Sequence, residues 1–346
     1  MSETSIFWNG AARVRSAPAI IAGMFILTLL TAIPLGVALR DAMRGHLCDS
    51  VAADTVASGV NYDWWQEFEA QATGVGRTLS PSVIGFATVL DNLSAVLDNR
   101  PRAGVLVAAA TVYIGVWAFF VGGILDRYAR NRPTRVAAFF AASGTFFFRF
   151  LRLAVISWAV YAVLFGWVHG WLFDRLYEWL IRDLTVERTG FFIRVALYAV
   201  FGALLVFCNV VLDYTKIRAV VEDRRSMIGA VIAGFRFVVR RLPAVLRLYA
   251  LNGVVFIAVL LAYAAVAPGA GGTGASMWIG FLIGQVYVLA RVSVKLLFLA
   301  TQTAFFQSEL AHPGYIAGPA FDPPESPVAE AIAGPASIPG EANASS

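Results

Sequence analysis

APAIIAGMFILTLLTAIPLGVAL, residues 17–39, runs for twenty-three positions without a charge. At about 1.5 Å per helical residue it is long enough to cross a hydrocarbon core of about 30 Å. No soluble core requires such a run, and it does not stand alone. Segments 103–125, 153–173, 191–212, 245–267 and 277–300 are similarly apolar, in a chain of 346 residues that is 59% hydrophobic and only 14% charged. The expected fold class is an all-α membrane protein with six transmembrane helices. The first span reads as retained, because its apolar run is too long for a cleaved signal and no small-x-small site closes it.

Charge between the spans gives an orientation, since short cytoplasmic loops keep an excess of Lys and Arg. Segment 126–152 carries six Arg against Asp126, and 213–247 carries eight basic residues against three acidic. Segment 40–102 has five basic and eight acidic residues, 169–189 has three and four, and 268–276 has no charge. The first two are expected inside and the others outside, with both termini cytoplasmic. Lysine occurs only at 216 and 295, and with the abundant Ala and Gly the Arg bias suggests a GC-rich bacterial genome. The expected location is the bacterial inner membrane. Cys48 and Cys208 fall on opposite sides of this topology, so no disulfide is expected.

The 40–102 segment is expected to form a small helical extracytoplasmic insertion. Ser80-Pro81 supplies a cap and a first-turn proline, and Val83, Phe86, Leu90, Leu93 and Leu97 then recur at helical spacing. Tyr62, Trp64, Trp65 and Phe68 suit packing on the outer ends of the bundle or a membrane-interface belt. Seven of the fourteen prolines lie beyond residue 310, and five acidic residues but no Lys or Arg lie beyond 306. The 301–346 tail is expected to be disordered from about 311, and a proline-rich tail of this kind is a candidate docking peptide.

Three basic, partly apolar stretches precede spans one, three and five: FWNGAARVRS, FFAASGTFFFRFLRL and VIAGFRFVVRRLP. Each holds a glycine followed within seven residues by Arg, which points to three units, roughly 1–130, 131–213 and 214–306, each an interfacial segment plus a transmembrane hairpin. The third stretch belongs to the basic interfacial segment 213–244. On a helical wheel Val231, Ile232, Phe235, Val238, Val239 and Leu242 share a face with Ile228, while Arg236, Arg240 and Arg241 lie opposite. Those three arginines are the expected contacts to anionic lipid at the cytoplasmic face. Phe237 interrupts the polar face. Arg224 would fall on the apolar one, so a break is expected at Ser226 as N-cap, with Lys216 to Arg225 forming a separate short helix. Glu222 and Asp223 are free to pair with neighbouring arginines.

Ionisable residues inside spans are the sharpest functional pointers in a membrane sequence. Arg291 and Lys295 share one face of span six, and Asn209 and Asp213 share one face of span four at similar depth. An ion pair from Asp213 to Arg291 or Lys295 is therefore expected. Gly280 and Gly284 form a GxxxG, and Asn252 and Gln285 are expected interhelical hydrogen-bond formers. His46, His169 and His312 read as isolated loop residues, and PGAGGTG, 268–274, lacks the Lys-Ser/Thr of a phosphate loop. No metal, cofactor or nucleic-acid partner is expected. GxSxG and HExxH are both absent from the sequence.

RAVVEDRRS, 218–226, followed by AGFRFVVRR, 233–241, entering a span, resembles uncharacterised bacterial polytopic inner-membrane proteins loosely akin to the membrane module of some glycerophosphodiester phosphodiesterases. The resemblance covers the last third of the chain, and the phosphodiesterase domain itself is absent. It implies an accessory or lipid-related membrane role and carries over no catalytic residues. The expected function is that of a non-enzymatic structural or accessory subunit associated with lipid and with a membrane or cytoplasmic protein partner. A small-solute transporter with Asn209, Asp213, Arg291 and Lys295 lining the path is the alternative, and a membrane-embedded enzyme the third reading.

Overall fold

The computed structural model describes residues 2–48, 50–80, 85–269 and 274–310. Among them 85% are helical and none forms a strand. Six helices are long and apolar enough to cross a membrane: α2 (Pro18–Leu47), α6 (Gly104–Arg130), the run Val136–Ile181, α9 (Glu187–Val221), α11 (Leu242–Val266) and α12 (Ala275–Ser308). The six-span, all-α expectation holds, and the chain is a multi-pass membrane protein.

Three helices, α6, α9 and α12, pack on one another at the centre. Each receives a helix from the unit that follows it. The first half of α7 (Val136–Val163) lies on α6, α10 (Met227–Arg240) on α9, and α1 (Glu3–Arg15) closes the ring on α12. Small residues set the spacing, as they do where membrane helices approach closely. A Cβ on Gly10 would stand 2.5 Å from Thr301 Cγ2, one on Gly234 2.7 Å from Thr215 Oγ1, and one on Gly123 2.5 Å from Ser143 Oγ. The packing register repeats about these points: Ile6, Gly10 and Arg13; Phe139, Ser143 and Phe146; Ala230, Gly234 and Phe237. In the second unit the close contact belongs to Ser143, whereas the sequence-singled Gly144 has nothing within 4 Å of its added Cβ.

The second unit also has no separate interfacial helix. From Val136 the chain stays helical through two π-helical turns, Leu164–Val168 and Trp171–Leu176, into α8 (Tyr177–Ile181), so the loop expected over 174–190 shrinks to residues 182–186. The wide π turns leave carbonyls for outside donors: Asn99 Nδ2 donates to Phe165 O at 3.0 Å. His169 Nε2, between the π turns, in turn meets Leu97 O at 2.9 Å.

Most helices overrun their hydropathy limits. Residues 126–130 and 301–308, assigned to a loop and a tail from sequence, complete α6 and α12, and α9 runs to Val221. Hydropathy stops where charge begins, but a helix continues wherever its flanking turns find partners. Those partners are α1, α7 and α10. All buried residues of α12 lie between Val292 and Phe306, and those of α6 between Ala118 and Ala129. The core is therefore concentrated at the basic end of the bundle. Towards the other end Val112, Leu261 and Val286 are exposed, as lipid-facing residues are.

At the end opposite the basic residues sit α3 (Ala53–Ser58), α4 (Tyr62–Gln71) and α5 (Phe86–Leu97). Trp64 and Phe68 pack on Met43 and Leu47 of α2, and Trp64 Nε1 donates to His46 Nδ1 at 3.0 Å. The N-cap of α5 is Gly85, with φ 61°, and not Ser80. Residues 81–84, including Pro81 and Val83, lie outside the described residues, as do 311–346. Leu90 and Leu93, on the apolar face of α5, are exposed.

Candidate functional site

The basic end is organised by the link between α9 and α10. Asp223 is the left-handed residue that ends α9, with φ 47°. Its N–H donates to Val220 O at 3.4 Å and that of Arg224 to Ala219 O at 3.2 Å, the paired bonds of a Schellman motif. An aspartate stands where glycine is usual, and its carboxylate meets Arg149 Nη1 of α7 at 2.5 Å. Glu222 takes Arg218 Nη2 at 2.7 Å and also pairs with Arg224. Arg218 Nη1 reaches Ala233 O of α10 at 2.8 Å. The two carboxylates thus lock the turn between α9 and α10. Ser226 caps α10, its Oγ accepting from Gly229 N at 3.3 Å, as expected. The separate helix expected over 216–225 does not exist, because Thr215 to Val221 stay packed in α9 against α10.

The α10 helix presents three faces. Ile228, Ile232, Phe235 and Val239 are exposed, Arg236 and Arg240 are exposed beside them, and Met227, Ala230, Gly234, Phe237 and Val238 are buried. Phe237, which interrupts the polar face of the wheel, lies among Tyr214, Phe305 and Phe306, with ring centroids 5.1, 6.0 and 5.1 Å away. Arg241 lies over its ring and pairs with Glu309. A crevice of about 500 Å³ opens here, and Arg218, Arg224, Arg236, Arg240 and Arg241 outnumber Glu222 and Glu309 along its walls.

The intramembrane group is arranged differently from the expected cross-helix pair. Asp213 Oδ1 pairs with Lys216 Nζ of its own helix at 2.7 Å, and its Oδ2 accepts from Asn209 Nδ2 at 3.3 Å. Asn209 also reaches Tyr249 OH of α11 at 3.3 Å. Lys295 instead places Nζ 3.4 Å from the centroid of the Trp117 ring of α6, a cation–π contact. Arg291 is exposed and makes no ion pair among the described residues. Matching depths suggest the pair, but depth does not fix rotation about the helix axis, and Asp213 is paired within its own helix while Lys295 sits on the Trp117 ring. Lys216→Met is therefore expected to destabilise the protein by about 1.5–3 kcal/mol, the range for a charged hydrogen-bond partner. Arg291→Met should stay near wild type, and thermal melting in detergent compares the two.

Asn252 forms the expected interhelical bond, donating to Thr301 Oγ1 at 2.9 Å. Gln285 does not, its buried Oε1 having no partner among the described residues. The GxxxG is no packing seam, since a Cβ on Gly284 would meet nothing within 4 Å and one on Gly280 only Pro268. His46 and His169 lie inside helices and not in loops, while His312 falls outside the described residues.

From sequence Arg13 is only part of a basic stretch and Arg127 only a loop charge, yet both are buried, at 8% and 5% exposure. Arg13 Nη1 donates to Tyr128 O and Gln307 Oε1, each at 2.8 Å, and Gln307 Nε2 donates to Ala129 O at 2.8 Å. With Asn131 N on Arg127 O, three of the last four carbonyls of α6 are satisfied. Burial, followed by the like charge of Arg127, pulls Arg13 down to about 10. The direction means that no carboxylate offsets the desolvation of this cation. Asp126 is bound by Arg130 at 2.8 Å. At the other end of the bundle, Tyr198 OH donates to Asp98 and is the main cause holding that carboxyl below the usual range.

No protein family, curated protein or solved structure matches this chain.

Proposed function

We propose that the protein is a non-enzymatic structural or accessory subunit of the bacterial inner membrane, with its basic end at the cytoplasmic surface, both termini cytoplasmic, and that surface engaged with anionic lipid. The observation that carries this reading is the face of α10, where exposed Arg236 and Arg240 flank the exposed apolar row Ile228, Ile232, Phe235 and Val239. That arrangement suits a helix lying at the headgroup boundary. Arg236 and Arg240 have no ion pair among the described residues, so their charge is available to lipid phosphates. Asp213, the residue a transport path would use, has its hydrogen-bonding and charge partners within the chain, which supports a structural role for it.

Anionic lipid attracts such a surface by about 1 kcal/mol per basic residue. Reversing Arg236, Arg240 and Arg241 to Glu is expected to abolish enrichment of phosphatidylglycerol over phosphatidylcholine around the protein in mixed-lipid nanodiscs. Unchanged enrichment in a folded triple variant would refute the reading.

A further inference from the structure

A second crevice, of about 450 Å³, lies on the flank between the first turns of α2, the end of α6 and the start of α7. Its volume is within the usual range for small-molecule sites, about 300–1,000 Å³. Ile20, Gly23, Met24, Phe120, Val136 and Phe140 make its walls apolar, and Arg127 stands among them. The guanidinium is committed on one side only. Nη2 donates to Ser16 Oγ at 3.1 Å and Ser16 O at 3.3 Å, whereas Nη1 is buried without a partner among the described residues. A buried cation so placed is costly unless an anion meets it.

The described residues supply none at this point. The neighbouring carboxylate of Asp126 is held by Arg130, and the second buried cation, Arg13, faces carbonyl and amide oxygens. The N-terminus of α2, a helix of 30 residues with no side-chain cap, opens on the same crevice through Ala17, Pro18 and Ala19. Its macrodipole also favours negative charge. One end of the crevice thus selects an anion, and the remainder selects hydrocarbon.

We infer that this crevice seats one anionic phospholipid of the surrounding bilayer, with its phosphate on Arg127 and the N-terminus of α2 and an acyl chain along the Ile20–Met24 and Phe140 walls. A free anion would leave the apolar walls unfilled, and a zwitterionic lipid would bring its own headgroup cation beside the guanidinium together with its phosphate. The inference rests on the membrane placement argued above, but not on the crevice beside α10.

Native mass spectrometry of the full chain in mild detergent, titrated with phosphatidylglycerol, phosphatidylcholine, oleate and inorganic phosphate, tests it. Wild type should retain one phosphatidylglycerol. Arg127→Gln should weaken that binding by about tenfold or more, the loss of one charge-assisted hydrogen bond. Gly23→Leu, which projects into open space and keeps the guanidinium, should weaken it comparably by filling the crevice. The Arg236, Arg240 and Arg241 reversal should leave this single lipid in place even where it removes bulk enrichment. Equal retention of phosphatidylcholine, displacement by oleate or inorganic phosphate at matched concentration, or undiminished binding in Gly23→Leu would overturn the inference.

Discussion

Replacing Phe237 with Ala is expected to cost about 3–5 kcal/mol, the range for deleting a buried aromatic ring. Ile228→Ala, two and a half turns earlier on the same helix, should change little when melting is followed in detergent. Phe237 is the plug where α10, α9 and α12 meet, touching Tyr214, Phe305 and Phe306 and carrying Arg241 over its ring. Ile228 is 68% exposed. The ordering is the reverse of what a helical wheel implies, since there Ile228 marks the apolar face and Phe237 interrupts the polar one. Equal losses for the two variants would mean that α10 is rotated from the orientation described.

Gly10→Ala is the second large effect expected. The new methyl would stand 2.7 Å from both the Cα and the N of Thr301. Backbone cannot rotate aside as a flexible side chain can, so α1 must move off α12 as a unit. Overpacking of this kind costs about 1–3 kcal/mol, and displacement would also strip Arg13 from the end of α6. The total is expected to be about 3 kcal/mol or more. Gly144→Ala should be neutral or stabilising by up to about 1 kcal/mol, the helix-propensity difference, because nothing lies within 4 Å of its Cβ. Comparable melting of the two alanine variants would remove the proposed role of small residues in closing the ring.

These two residues mark how far the sequence can be read. Six spans are legible because the cost of placing charge in hydrocarbon is written directly into composition. The Ser226 cap is legible for a related reason, since Arg224 on an apolar face forces a break. The three-unit plan shows as an arginine-bearing stretch before spans one, three and five. Its packing rule is hidden, because Gly10, Ser143 and Gly234 are equivalent only in the approach distances they permit. A wheel separates apolar from polar but not lipid-facing from protein-facing apolar residues, and in a bilayer both are apolar. The wheel therefore leaves open that Phe237, and not Ile228, is the residue packed on protein.

The same blindness explains the polar groups. Asp213 and Lys216, three apart on one helix, form the ion pair, yet matching depth favoured partners on another span. Arg127 reads as loop charge and Arg13 as part of a basic stretch, and nothing local distinguishes an arginine capping a buried helix end from one in water. Glu222 and Asp223, which neither topology nor lipid attraction requires, have a structural reason. They hold the turn that delivers α10 back onto α9.

The orientation of α10 is the claim on which lipid engagement depends, and a spin-label accessibility scan over residues 228–240 measures it most directly. Labels at 228, 232, 235 and 239 should show maximal collision with membrane-soluble oxygen, and labels at 236 and 240 maximal collision with a water-soluble nickel chelate. Labels at the half-buried positions 231 and 233 should collide less with both reagents. Protection of 228, 232, 235 and 239 from oxygen would contradict the account, placing that apolar row against protein and leaving the basic face without a bilayer to meet.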